Sequence, residues 1–407
     1  MTISRPRLKL SHYYGIEAVN SYCLALFLLC AFFWARLKFG YSDTANLLLS
    51  SAGGLISIFS SRYGGKLADR FGYDRILSLC FLGLSAALLL GWIPTWRGTP
   101  FVVVVLYTLF MGPTPPALEA AVLHSPGSGS VPERLGRWNV IWSVTNTLGF
   151  FVGGVIFSWR PDAILWVPGL LHFSLWAWLK WGPPEISNQA GAVLPPQRRE
   201  HRGQPRSERG QDISKTIKRR FMHTAWLGNG LAFVMVAGFF ALTPQMGKRL
   251  GLTPAFAIWL ACTLNLSRSM AFLLFWKWEG WHYRMDWLQA ALWIAPASLA
   301  IAFFANHPTL ILGALIVFGM AVGLSYSGSI YYSLDYGENK GEQGGLHESI
   351  IGMGAFIGPL LAGMASASVE PELSAQAAQW TILILTIISS LVGFGLIQRG
   401  LQREPGC

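Results

Sequence analysis

The sequence predicts an all-α membrane protein with twelve transmembrane helices in two pseudo-symmetric six-helix bundles. Three observations predict it. The 407-residue chain is 52% hydrophobic and only 13% charged, where a soluble domain carries about 25% charged residues. Apolar runs of about 20 residues recur along it, the length that crosses a bilayer as a helix. One long polar segment divides those runs six and six. The runs do not alternate apolar and polar residues, so a membrane β-barrel is excluded.

The expected spans are roughly 12–34, 44–62, 76–94, 100–123, 138–159, 163–180, 221–247, 254–276, 287–305, 309–333, 348–368 and 377–398. Arg5, Arg7 and Lys9 precede the first run, as in a signal peptide. That run is long and lacks a small-residue cleavage site, so it reads as an uncleaved first span. Residues 182–220 contain "PPQRREHRGQPRSERGQ", which has no apolar periodicity. It cannot bury a core and is expected to be a mobile linker. The bundles are then residues 1–181 and 221–407.

Orientation follows from lysine and arginine. With the N-terminus inside, the inner segments hold 24 of the 31 Lys and Arg. The outer segments hold Arg36, Lys38, Arg97, Arg160, Lys248 and Arg249, and Arg268 lies within a span. The positive-inside bias places both termini and the linker in the cytoplasm of a plasma-membrane protein. It also accounts for the net charge of +11 without a nucleic-acid partner. Cys23, Cys30, Cys80 and Cys262 lie in apolar runs and read as small apolar residues; Cys407 is terminal. No catalytic triad, metal-ligand spacing or nucleotide signature is present, so neither an enzyme nor a cofactor is expected. "GMGAFIG" does not follow a strand and is no dinucleotide site.

The halves repeat weakly. An offset of 209 residues sets Met111 on Met320, Glu133 on Glu342, Gly136 on Gly345, Ile141 on Ile350, Gly149 on Gly358, Gly154 on Gly363 and Arg75 on Arg284. Weak internal symmetry of this kind suits a transporter built from two parallel halves.

The stretch "GGKLADRFGYDR", Gly64 to Arg75, gathers five charges around glycines between spans two and three. With the six-plus-six arrangement, it resembles the major facilitator superfamily, whose loop pattern is roughly G-x-L-a-D-R-x-G-R-[KR]. Gly65, Leu67, Asp69, Arg70 and Gly72 match; Tyr73 and Asp74 depart, and the basic residue comes one place late as Arg75. The resemblance covers essentially the whole chain and identifies no subfamily. The second-half loop "KWEGWHYRMD" keeps Glu279, Gly280 and Arg284. "GFFVGG" (149–154) is similar to the family's antiporter stretch with Phe150 in place of proline, and "GPLLAG" (358–363) is its counterpart. Both also suit close helix packing.

The resemblance implies a cytoplasmic latch of Gly65, Asp69, Arg70, Gly72, Arg75, Arg134, Arg137 and Arg284. In it Asp69 meets the start of span eleven near 345–350, or Arg134 or Arg137. A solvated turn is the plainer alternative. Polar residues within spans supply cavity candidates, because a charge at bilayer depth faces a cavity or a partner. They are Glu17 and Asn20 on one face of span one; Glu119 on span four; Asn139, Ser143 and Asn146 on span five; Gln245 on span seven; and Asn265 and Arg268 on span eight. Glu17 is the candidate proton carrier. His347 and Glu348 open span eleven as a gate or proton-sensitive pair, or as a simple helix cap. His172 is expected to be packed rather than a ligand. The expected function is secondary transport of a small solute by alternating access, with protons as a possible coupling ion, in a monomer within a lipid bilayer. The alternative is a non-transporting membrane sensor or scaffold on the same fold.

Overall fold

A computed structural model describes residues 8–93, 96–125, 130–182, 215–336 and 340–402, leaving out the side chains of 131, 132, 334, 340–343 and 399–402. These residues form thirteen helices: α1 (Leu10–Phe39), α2 (Asp43–Phe71), α3 (Tyr73–Gly91), α4 (Thr99–Met111), α5 (Thr114–His124), α6 (Val131–Trp159), α7 (Ala163–Trp181), α8 (Lys215–Arg249), α9 (Pro254–Lys277), α10 (Met285–Phe304), α11 (Pro308–Tyr336), α12 (Lys340–Ala367) and α13 (Ser374–Gln402).

The count exceeds twelve because the fourth span is broken. Pro113, Pro115 and Pro116 follow Gly112, and proline cannot donate to the helical ladder. The Thr114 hydroxyl donates to the Met111 carbonyl at 2.8 Å, satisfying one acceptor freed by the break. Taken as one unit, residues 99–124 are long and apolar enough to cross a membrane, as are ten other helices. Helix α7 falls outside that set. Its four tryptophans and His172 lower its mean hydropathy, although its length matches the expected sixth span.

Local signals set the helix ends. Side chains of Ser42, Ser130 and Thr253 accept from backbone N–H groups three residues on, as N-caps do. Helices α2 and α3 are joined by Gly72 alone, at φ +99°, a region that side-chain-bearing residues avoid. Helix α8 starts at Lys215, so the expected linker is helical over its last residues. Its stretch 183–214 lies outside the described residues.

The two bundles meet along two seams, α2 against α12 and α6 against α9. Glycines permit the first. A Cβ on Gly54 would strike the backbone of Ala355 and Phe356, and one on Gly352 would meet Ile58. In "GFFVGG", Gly149 and Gly153 pack on α1 and Gly154 on Trp259 of α9. In "GPLLAG", Gly358 packs on Val234 and Gly363 on Leu47 and Leu48. Both stretches therefore bring helices close. Large exposed apolar side chains such as Leu79, Trp159 and Leu396 cover the outer surface, the residues a lipid-facing wall requires.

Candidate functional site

Between the bundles lies a cavity of about 300 Å³, at the small end of ligand sites, roughly 300–1,000 Å³. Helices α1, α2, α4, α5 and α6 form one wall, and α8, α9, α11 and α12 the other. Of the sequence candidates, Glu17, Asn20, Glu119, Asn146, Asn265, Arg268 and Glu348 line it. Asn139, Ser143, Gln245 and His347 do not.

Arg268 is 6% exposed and makes no salt bridge among the described residues. One of its NH₂ groups donates to Asn265 Oδ1 at 2.6 Å. Its guanidinium lies 5.0 Å from the centroid of the Trp142 ring, which belongs to α6 across the seam. A desolvated contact of this type contributes about 2 kcal/mol. Arg268 Nε and Asn265 Nδ2 are buried without a hydrogen-bond partner. Trp142 is itself oriented by donating to Asn139 Oδ1 at 3.3 Å, so Asn139 acts on the cavity through that ring.

The opposite wall presents acceptors. Glu17 is 4% exposed and takes a short hydrogen bond from Ser21 on one oxygen. Its other oxygen is buried and unpartnered, as are Asn20 Oδ1 and Asn146 Oδ1. Asn20 donates to Thr114 at 3.1 Å, which ties α1 to the break in the fourth span. Glu119 lies against Gly344, where a Cβ would sit 3.0 Å from its Oε2. Arg268 and three carboxylates thus border one chamber whose remaining lining includes Trp138, Tyr107, Phe150 and Phe240.

The remaining candidates have other partners. Gln245 accepts from Arg36 at 2.9 Å, and Arg36 also pairs with Asp43 at 2.6 Å. With the Thr44–Ser366 contact at 2.8 Å, this links the bundles at the end away from the N-terminus. Ser143 bonds to the Val140 carbonyl within its own helix. His347 is buried, 2.9 Å from Ser329 Oγ through Nδ1 and edge-on to Tyr326. His172 is buried and stacked near Phe81.

At the N-terminal end, Asp69 is exposed and accepts from Tyr73 at 3.1 Å, within its own turn. Arg70 lies over Phe71, and Arg75 and Arg284 are exposed. Arg137 pairs with Glu133 at 2.6 Å one helical turn away. Arg134 donates to the carbonyls of Val122, Leu123 and Ser125, closing the C-terminal end of α5. Gly65 has room for a Cβ against Pro116, whereas at Gly64 a Cβ would strike Pro113. The tight approach therefore falls one residue before the one the pattern singles out. In "KWEGWHYRMD" the aromatics carry the packing. His282 stacks on Tyr331 at 4.0 Å, and Tyr283, at φ +54°, donates to Asp335. Burial holds the His282 pKa below its ordinary value and outweighs the nearby carboxylates of Glu279 and Asp335. On the opposite face burial pushes the Asp162 carboxyl up, but bonds from Lys38 and Trp34 prevail and hold it below its usual range.

Sequence reasoning did not single out Trp142, Tyr326 or Thr114. Trp142 had a legible signal, since it stands at helical spacing between Asn139 and Asn146. Tyr326 had none, because it is one aromatic among many in an apolar run.

Two bundles around a chamber that holds a few buried charged and amide groups define a membrane transporter fold. The family model described as Major Facilitator Superfamily matches residues 18–359, and the chain belongs to that superfamily. No curated protein sequence matches it. Among solved structures, the nucleoside transporter NupG is similar at TM-score 0.68 and 12% identity, over 96% of this chain and 100% of that one. A bacterial homologue of the human lysosomal transporter Spinster, inward-facing and occupied, gives 0.64 and 14%, over 96% and 95%. The human organic anion transporter MFSD10 gives 0.64 and 14%, over 96% and 98%. The TM-scores show a shared fold.

Proposed function

We propose that the chain is a secondary transporter that carries a small polar solute by alternating access, in the plasma membrane with both termini cytoplasmic. Residues 1–181 and 221–407 are the two moving bodies, and 182–220 connects them. The observation that carries this reading is Arg268. A guanidinium held at bilayer depth without a carboxylate partner among the described residues is costly. Opening onto a chamber offsets that cost when a solute with an anionic or acceptor group occupies it.

Arg268, Asn265, Glu17, Asn20 and Asn146 bind the solute, and Glu17, Glu119 or Glu348 carries a coupling proton. The bridges Arg36–Gln245 and Thr44–Ser366 hold the outer side shut in this conformer. The latch of Gly65, Asp69, Arg70, Gly72, Arg75, Arg134, Arg137 and Arg284 engages when the cavity faces outward. That is consistent with Asp69 being exposed in this conformer.

The test is solute flux in proteoliposomes under an imposed proton gradient, with Asp69→Asn beside the native protein. The expected outcome is gradient-dependent movement that Asp69→Asn slows. Flux unchanged by that substitution sinks the latch. If no solute moves or binds under any gradient, the protein is a sensor or scaffold.

A further inference from the structure

Among the buried, unpaired atoms lining the cavity, those of amide, guanidinium and carboxylate groups are sorted by sign between its two walls. The Tyr107 hydroxyl of α4 can donate or accept, and the Glu348 carboxylate of α12 borders the cavity on the Arg268 side. Arg268 Nε and Asn265 Nδ2, both donors, lie on α9 in the C-terminal bundle. Glu17 Oε2, Asn20 Oδ1 and Asn146 Oδ1, all acceptors, lie on α1 and α6 in the N-terminal bundle. Every one of these side chains is more than nine-tenths buried. The two charges stand at similar depth. Glu17 is seven residues from the start of α1 and Arg268 nine from the end of α9, roughly 10 and 13 Å at about 1.5 Å per residue. Aromatic side chains, including Trp142, Tyr326 and Tyr107, line the space around them.

A buried donor or acceptor left unpaired carries its full desolvation penalty. A ligand with one charged end satisfies one wall and leaves the other orphaned. A ligand with a carboxylate-like acceptor and an ammonium-like donor satisfies both. We infer that the substrate is a small zwitterion with an apolar or aromatic body, its anionic end on Arg268 and Asn265 and its cationic end on Glu17, Asn20 and Asn146. Such a ligand bridges the two bundles, so its binding draws the halves together. The Trp142 face beneath the guanidinium keeps Arg268 from turning away to lipid. This inference rests on the cavity being the substrate site.

The test is a matched panel of solutes on the purified full chain. L-phenylalanine, phenethylamine and 3-phenylpropionate share one aromatic body and differ in their charged ends. Aliphatic and heteroaromatic trios extend the panel. Binding is read by thermal shift and by flux in proteoliposomes. In at least one trio the zwitterion is expected to bind tenfold or more tighter than either one-ended analogue. Arg268→Gln should then erase the preference over the amine, and Glu17→Gln the preference over the acid. Arg268→Lys, which keeps the charge, should retain part of the preference and serves if the glutamine variant does not fold. A one-ended analogue that binds as well as its zwitterion in every responding trio overturns the inference and leaves the transporter reading standing. So does a preference that neither substitution alters. If no zwitterion binds while a solute of another class moves, the inference also fails alone. If nothing binds or moves, both readings fail.

Discussion

The buried hydroxyl of Tyr13 donates to Asp74 across 2.7 Å, joining α1 to the first turn of α3. Asp74 occupies the place where the superfamily's loop pattern has a basic residue. The departure has a structural reason, because a basic side chain there could not accept the Tyr13 hydroxyl proton as an acid does. Asp74 is also an acid in the first turn of α3, which the helix dipole favours.

Removing this bond should be measurable. Tyr13→Phe is expected to cost about 1.5–3 kcal/mol, the range for hydrogen bonds to charged groups. Asp74→Arg should cost more, since it also sets a positive charge in the first turn of α3, against the helix dipole. Thermal unfolding in detergent, with the double variant closing the cycle, reads both. Additive losses would show that the two residues do not act together.

The Trp142 face under Arg268 sets a second expectation. Trp142→Leu should weaken binding of any cavity ligand by about tenfold, and Trp142→Phe by less, because a smaller ring keeps part of the cation–π attraction. Titration of a responding solute monitors this. Equal affinity in all three proteins would remove Trp142 from the site.

Gly54 of α2 meets the backbone of α12 directly at the seam between the bundles. Gly54→Leu cannot be accommodated against Ala355 and Phe356 without separating the helices. Overpacking of this type costs about 1–3 kcal/mol, and the substitution should shift the population away from this conformer. Distances between spin labels on the two bundles at each membrane face would report the shift. A distribution identical to that of the native protein would show that the seam does not control the conformational equilibrium.

On the proposed orientation, the bridge from Arg36 to Gln245 and Asp43 is a second control point, at the outer face. Arg36 is partly exposed, and the glutamine amide of Arg36→Gln still offers the buried Asp43 carboxylate a donor. Arg36→Gln should therefore leave folding intact and raise the reactivity of a cysteine placed at Ala31 toward a membrane-impermeant thiol reagent. Unchanged labelling would show that the bridge is not part of the closure.

His282 gives a pH expectation outside the spans. Its folded pKa lies below the unfolded value of about 6.5, so the folded state favours the neutral ring. The stability this contributes is full above about pH 6.5 and declines as pH falls through that value toward the folded pKa. Replacing His282 with Phe should flatten that part of the melting-temperature profile between pH 7 and 5. An identical acid limb in the variant would show that the ring titrates freely.

Much of the fold was legible in the chain itself. Apolar run lengths give the spans, and the prolines of "GPTPP" mark the break, although reading 100–123 as one helix overlooked it. The in-span polar residues Glu17, Asn20, Asn265 and Arg268 mark the cavity because bilayer depth makes them costly anywhere else. Glu348 was legible as a charge at a helix start, but only the packing of α12 against α2 turns it toward the chamber. Gln245 looked the same as Asn146 in sequence, and they part company because one meets Arg36 while the other faces the cavity.

The sequence by itself determined what must be buried, what must face lipid, and where chain direction reverses, since these follow from single-residue transfer energies and backbone chemistry. Tertiary structure alone decided which polar atoms remain unpaired and on which wall they stand. Pairing depends on distances between residues more than a hundred positions apart, as between Arg268 and Trp142, and no local pattern encodes them. The placing of the unpaired Arg268 and Asn265 donors on one bundle and the unpaired Glu17, Asn20 and Asn146 acceptors on the other is of that kind.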